Sequence, residues 1–151
     1  MPEKLLVSAC LLGRPVRYDG RDKRLASAVL ERWAAEGRLV AICPELAGGL
    51  AVPRAPAEIQ SDGHVVDVAG ADMTGAFEDG ARRALELAQA EGCRFALLTD
   101  GSPFCGSSFV YDGSFSGERV AGVGVTAGLL ERHGIRVFAP DRIEELDSLL
   151  G

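Results

Sequence analysis

One unit recurs three times in this chain and limits its fold more than any other feature: a stretch striped for a helix, then a glycine, then a short apolar run. Gly37 divides a helix predicted over Leu25 to Glu36 from a strand at Leu39 to Ile42. Gly92 divides a helix over Asp72 to Glu91 from a strand at Arg94 to Thr99. Gly134 divides a helix over Val125 to Arg132 from a strand at Ile135 to Phe138. In the longest of these, Met73, Ala76, Phe77, Ala81, Ala84, Leu85 and Ala88 share one helical face, the spacing that seats a helix on a core. Glycine stops such helices because it takes the left-handed backbone that ends them at little steric cost.

An apolar run from Lys4 to Leu11, ended by Gly13, supplies a first strand. A terminal helix opens at Asp141, with Glu144 three residues on as in a capping box. Between Glu58–Gln60 and His64–Val68, Ser-Asp-Gly reads as the turn of a small hairpin. The stretches from Pro44 to Ala57 and from Asp100 to about Gly124 are rich in Gly, Pro and Ser and read as loops. Strands joined by helices must run parallel, with the helices on both faces of the sheet. The expectation is an α/β chain of 151 residues forming a single domain: a three-layer Rossmann-like fold with a mostly parallel sheet and a small β-hairpin insertion.

The formal net charge of −6 argues against a broad nucleic-acid surface, which needs clustered cations. One basic group, Arg14, Arg17, Arg21, Lys23 and Arg24, reads as a solvated loop and helix start, with an anion pocket as the alternative. No apolar run reaches the roughly 18 residues of a membrane span, and no signal-peptide pattern completes. A cytoplasmic location is expected, and there four cysteines are more readily metal ligands or catalytic groups than disulfides.

Their placement gives that expectation a site. In an open parallel sheet, ligands bind beyond the carboxyl ends of the strands. Cys10 falls at the end of the first strand, Cys43 directly after the second, and Cys105 six residues after the third. Cys93 precedes the third strand, at the opposite edge, and reads as a core residue. Thiolates suit iron–sulfur clusters, zinc or copper(I), and three of them leave a position open; buried core thiols are the alternative. Glu45, two residues past Cys43, is a candidate acid or base. Ser102, in Asp-Gly-Ser-Pro-Phe-Cys-Gly, can donate a hydrogen bond to a substrate or shape a turn. His64 and His133 are the only histidines, and neither is placed for catalysis. Gly122, Gly124 and Gly128 open a helix, a weak anion-cradle pattern.

Several segments together resemble the DUF523 family of 2-thiouracil desulfidases: Ser-Ala-Cys-Leu-Leu-Gly with Val-Arg-Tyr-Asp-Gly (8–20), Cys-Pro-Glu (43–45), Gly-Gly-Leu-Ala-Val-Pro-Arg (48–54), Asp-Gly-Ser-Pro-Phe-Cys-Gly-Ser (100–107) and Gly-Val-Gly-Val-Thr-Ala-Gly-Leu (122–129). The resemblance spans nearly the whole chain. It implies removal of sulfur from a thiolated pyrimidine through a [4Fe–4S] cluster held by Cys10, Cys43 and Cys105. It also places catalysis on Glu45 and Ser102; the mechanism expected from the chemistry of an open iron is Lewis-acid activation of the thiocarbonyl. Val16 stands where many relatives have a further cysteine, and Phe104 where a serine is common. The rival readings are a zinc- or cluster-binding module and a sulfur transferase using the same three thiols. Oligomeric state is left open by the sequence.

Overall fold

The computed structural model describes residues 3–12, 25, 27–43, 47–50, 57–99, 105–106, 109–111 and 113–150. In chain order the elements are β1 (Leu5–Ser8), a 3-10 turn (Ala9–Leu12), α1 (Ala28–Ala35), β2 (Leu39–Ile42), β3 (Ala57–Ile59), β4 (Val65–Asp67), α2 (Thr74–Ala90), β5 (Phe95–Leu97), β6 (Phe109–Tyr111), β7 (Arg119–Ala121), α3 (Val125–Arg132), β8 (Arg136–Phe138), a 3-10 turn (Pro140–Arg142) and α4 (Ile143–Leu150). Four strands form one parallel sheet in the order β2-β1-β5-β8. The two pairs β3–β4 and β6–β7 are separate antiparallel hairpins.

Alternation along the strands sorts the core into two layers. Leu6, Ala96, Leu98 and Val137 pack with Phe77, Ala84 and Ala88 of α2 and with Ala127 and Leu130 of α3. Leu5, Val7, Phe95, Leu97 and Phe138 face the other way, against Leu30 and Trp33 of α1 and Ile143 and Leu146 of α4. This is the expected three-layer arrangement. β1 is buried at all four positions, as a strand covered on both faces must be.

The three glycine stops take the predicted conformation, with φ of +71° at Gly37, +70° at Gly92 and +82° at Gly134. Other boundaries differ from expectation. β1 ends at Ser8 and Cys10 lies in the 3-10 turn after it. α1 begins at Ala28 because Ser27 caps it, its hydroxyl accepting the Leu30 N–H at 3.4 Å. α2 starts at Thr74, with the Asp72 carboxylate accepting from the Thr74 N–H at 2.9 Å. Asp141 sits inside a 3-10 turn and not at the head of α4, so the capping-box reading of that boundary is replaced by this turn, which Pro140 opens.

The largest correction lies between residues 100 and 124, read from sequence as a loop. Part of it is the hairpin β6–β7, which docks on the first hairpin. The Glu58 carboxylate accepts the Gly113 N–H at 2.9 Å and the Phe115 N–H at 3.3 Å, and Gln60 Nε2 donates to the Gly113 carbonyl at 2.9 Å. Gly113 is required there: its φ is +94°, and a Cβ would lie 2.8 Å from the Ile59 carbonyl oxygen.

Candidate active site at the carboxyl rim

The strand order places the ends of β2, β1 and β5 side by side, about 4.8 Å apart from one neighbour to the next. In register, Ser8 of β1 faces Ile42 of β2, and Val7 faces Leu97 of β5. Cys43 therefore follows directly on one strand end and Cys10 lies two residues past the next. Cys105 is brought to the same rim, its Sγ 3.7 Å from Ser8 Oγ. Cys10 is 7% exposed, Cys105 is 4% exposed, and Cys43 is half-buried. All four cysteines carry thiols, not disulfides. Among the described residues no three His, Cys, Asp or Glu side chains close on one point as a single ion would require.

Backbone contacts fix the segments that carry the thiols. The Ala47 N–H donates to the Cys43 carbonyl at 3.0 Å, and Gly48 lies so close to α2 that an added Cβ would stand 2.2 Å from the Ala76 carbonyl oxygen. The Leu25 N–H donates to the Leu11 carbonyl at 2.9 Å, beside Cys10. Next to Cys105, the Gly106 carbonyl accepts the Gly124 N–H at 2.7 Å, tying the start of α3 to the thiol segment. Cys43 thus follows a strand end directly, Cys10 lies in the turn after another, and Cys105 reaches the same rim through Ser8, each next to a segment tied down by a backbone hydrogen bond.

Buried hydroxyls stand by these segments. Ser8 Oγ accepts the Thr99 N–H at 3.0 Å and donates to Cys105 Sγ. Among the described residues, Thr99 Oγ1 and Thr126 Oγ1, at the end of β5 and in the first turn of α3, are buried without a partner. A buried polar group without a partner is uncommon and costs stability, and a group bound at this rim would offer one. Sequence reasoning missed Ser8 and Thr99, although a polar residue closing an otherwise apolar strand, Leu-Leu-Val-Ser, is itself a signal.

The other predicted positions divide clearly. Glu45, Ser102, Val16, Phe104 and the cluster Arg14, Arg17, Arg21, Lys23 and Arg24 lie outside the described residues. His64 is in the β3–β4 turn against Asp62, and His133 caps the end of α3, both remote in sequence from the thiol segments. Cys93 lies at the amino edge, 5% exposed, where burial pushes its thiol up to about 11. Among the described residues no helix is long and apolar enough to cross a membrane.

The family model described as 2-thiouracil desulfurase matches residues 5–142. The chain belongs to this family. Among solved structures it is similar to a protein described as the [4Fe-4S]-dependent thiouracil desulfidase TudS (DUF523Vcz), with 55% identity, a TM-score of 0.96, and coverage of 98% of this chain and 97% of that one. Among curated proteins it is 36% identical over 151 residues to the uncharacterized protein YbbK of Bacillus subtilis (strain 168), covering 94% of this chain and 99% of that protein. The enzyme reading and the α/β fold drawn from the sequence agree with these matches.

Proposed function

We propose that this chain converts thiolated pyrimidines such as 2-thiouracil to the oxo base, exchanging the C=S sulfur for the oxygen of water and releasing sulfide. We infer further that Cys10, Cys43 and Cys105 hold a [4Fe–4S] cluster and that Glu45 and Ser102 act on the substrate. What supports this reading is the 55% identity to a [4Fe-4S]-dependent desulfidase over 98% of this chain, together with Cys43 directly after β2, Cys10 just past β1 and Cys105 Sγ 3.7 Å from Ser8 Oγ at the end of β1.

The donor set fits the group. Thiolates are its usual ligands, and a cluster offers each thiolate its own iron, so sulfurs spread along a rim answer its demand. Three protein ligands leave a fourth position, and the buried hydroxyls of Thr99 and Thr126, without partners among the described residues, are groups with hydrogen-bonding capacity to spare. When bound, such a cluster supplies an exposed Lewis-acidic iron with affinity for the sulfur of a thiocarbonyl.

The chain's own residues supply the rest. Glu45, in Cys-Pro-Glu, takes a proton from the attacking water or gives one to the ring nitrogen as the C–S bond breaks. Ser102 holds the pyrimidine by a hydrogen bond and so fixes the carbon that water attacks. Water gives its oxygen to the ring and its two protons to the departing sulfide, so the exchange needs no external oxidant or reductant. The cytoplasm, where thiols stay reduced, is the compartment this reading assigns.

Purification without oxygen, iron and acid-labile sulfide analysis, and addition of 2-thiouracil test the proposal directly. Four irons per chain, cluster-like visible and paramagnetic spectra, and uracil formed in step with sulfide are expected. A colourless protein that stays iron-free after reconstitution, or a loaded one that forms no uracil, overturns it, and zinc in the preparation would favour the zinc reading of the same thiols.

A further inference from the structure

Ser8 is the last residue of β1 and is 2% exposed, one of four buried polar or charged side chains among the described residues. Its hydroxyl has two neighbours. Oγ accepts the N–H of Thr99, 3.0 Å away across the β1–β5 boundary, and lies 3.7 Å from Cys105 Sγ, within range of an O–H···S hydrogen bond. With an oxygen lone pair engaged by an amide, the hydroxyl proton is free to point at the sulfur. A serine needed only to finish the strand ladder would require the first contact and not the second.

We propose that Ser8 is a positioning residue for the cluster: its hydroxyl, oriented by the Thr99 amide, hydrogen-bonds the Cys105 sulfur and stabilises the more negative state of the bound group. This rests on the cluster reading above and goes beyond it, because it assigns a residue outside the three ligands a control over the cluster's electronics. The physical reason is charge. A donor aimed at a ligating sulfur favours added negative charge there, and hydrogen bonds to the sulfurs are among the factors that set the potential of iron–sulfur centres. The same donor draws electron density from the cluster and keeps the open iron a stronger acceptor for sulfur.

The test compares wild type with Ser8→Ala and Ser8→Thr, all purified and reconstituted without oxygen. Ser8→Ala is expected to keep its iron and sulfide content while its midpoint potential moves to more negative values; Ser8→Thr, which retains the hydroxyl, stays near wild type. A merely structural serine would leave the potential of every loaded variant unmoved, and that result overturns the inference. A wild type that holds no iron and forms no uracil is a failure of the cluster reading, whereas a loaded, active wild type with an unshifted Ser8→Ala is a failure of the Ser8 assignment alone. Should Ser8→Ala fail to fold, the wild type decides: transfer to heavy water is expected to shift the iron–sulfur stretching bands in its resonance Raman spectrum, and unshifted bands overturn the assignment.

Discussion

The two ends of the parallel sheet carry similar residues to opposite effect. At the amino end, charged groups are paired off: Glu3 takes both the Nε and an Nη of Arg94 at 2.7 and 2.8 Å, Lys4 meets Glu91 at 3.3 Å, and the buried Arg38 donates to the Glu3 carbonyl oxygen at 2.9 Å. The thiol there, Cys93, is buried in the layer that holds Ala84, Ala88 and Ala96, its N–H donating to the Ala88 carbonyl at 2.8 Å, and burial pushes its thiol up. At the carboxyl end, Cys43 follows β2, Cys10 lies past β1 and Cys105 meets the Ser8 hydroxyl, while the buried hydroxyls of Thr99 and Thr126 lack partners among the described residues. A sheet edge whose charged side chains are paired among themselves does structural work, whereas an edge that carries thiols and unpartnered hydroxyls has groups left to offer a ligand.

The sharpest break of that contrast is substitution of the cysteines themselves. Replacing Cys10, Cys43 or Cys105 singly by Ser is expected to abolish stable iron and acid-labile sulfide after anaerobic reconstitution, while Cys93→Ala retains both. Loss of iron from Cys93→Ala, or full loading of the three others, would erase the distinction between the rims. Next in size, Glu45→Gln should keep the cluster spectrum and lower kcat for uracil formation by about 10²–10⁴-fold, the usual worth of a positioned acid or base. An unchanged kcat with an intact cluster would remove Glu45 from the chemistry and leave the thiols as a binding site.

Most of the sheet was legible in sequence because its strands are short apolar runs punctuated by glycines, and Gly37, Gly92 and Gly134 do take the left-handed backbone. The positions of Cys10 and Cys43 relative to strand ends follow from the same punctuation. The hairpin β6–β7 was not legible: Arg119, Val120 and Ala121 of β7 are all exposed, and in β6 the buried Val110 alone is too short a signal to set an alternating pattern. What holds it is non-local, the Glu58 carboxylate reaching 55 residues along the chain to the Gly113 amide, and such pairings leave no trace in a local window. Ser8 was overlooked for a related reason, since its partners Thr99 and Cys105 are 91 and 97 residues away.

Rigidity of the carboxyl rim gives a subtler test. Gly48 follows the Cys43 segment and lies against the Ala76 carbonyl, so Gly48→Ala must push that segment off α2. Overpacking of this kind costs about 1–3 kcal/mol; the expected outcome is a lower unfolding midpoint and faster loss of iron to a chelator. The matching test of the amino rim uses pH. Because the folded-state value of Cys93 is raised from 9.0 to about 11, its contribution to stability is complete below pH 9 and is lost as pH climbs toward 11. That loss is on the order of 2–3 kcal/mol, and Cys93→Ala should flatten the fall in melting temperature over that interval when the two proteins are compared without the cluster. An identical fall in the variant would show that the thiol is not buried as an acid.

The smallest effect belongs to the ion pair beside it. The Arg94 guanidinium, hydrogen-bonded to both Glu3 carboxylate oxygens, holds the Glu3 carboxyl below its usual value of 4.5. A carboxyl lowered in the folded state adds stability above its unfolded value and loses it as pH falls through the folded one. Glu3→Gln should therefore be slightly less stable than wild type at neutral pH and converge with it below about pH 4. Arg94 is largely exposed, and solvent and salt screen such pairs, so the gap should shrink as salt is added. Iron content and turnover should not move at all, because the pair lies at the sheet end remote from the three thiols; a change in either would mean that the two rims are coupled through the strands and that the division of labour between them is not real.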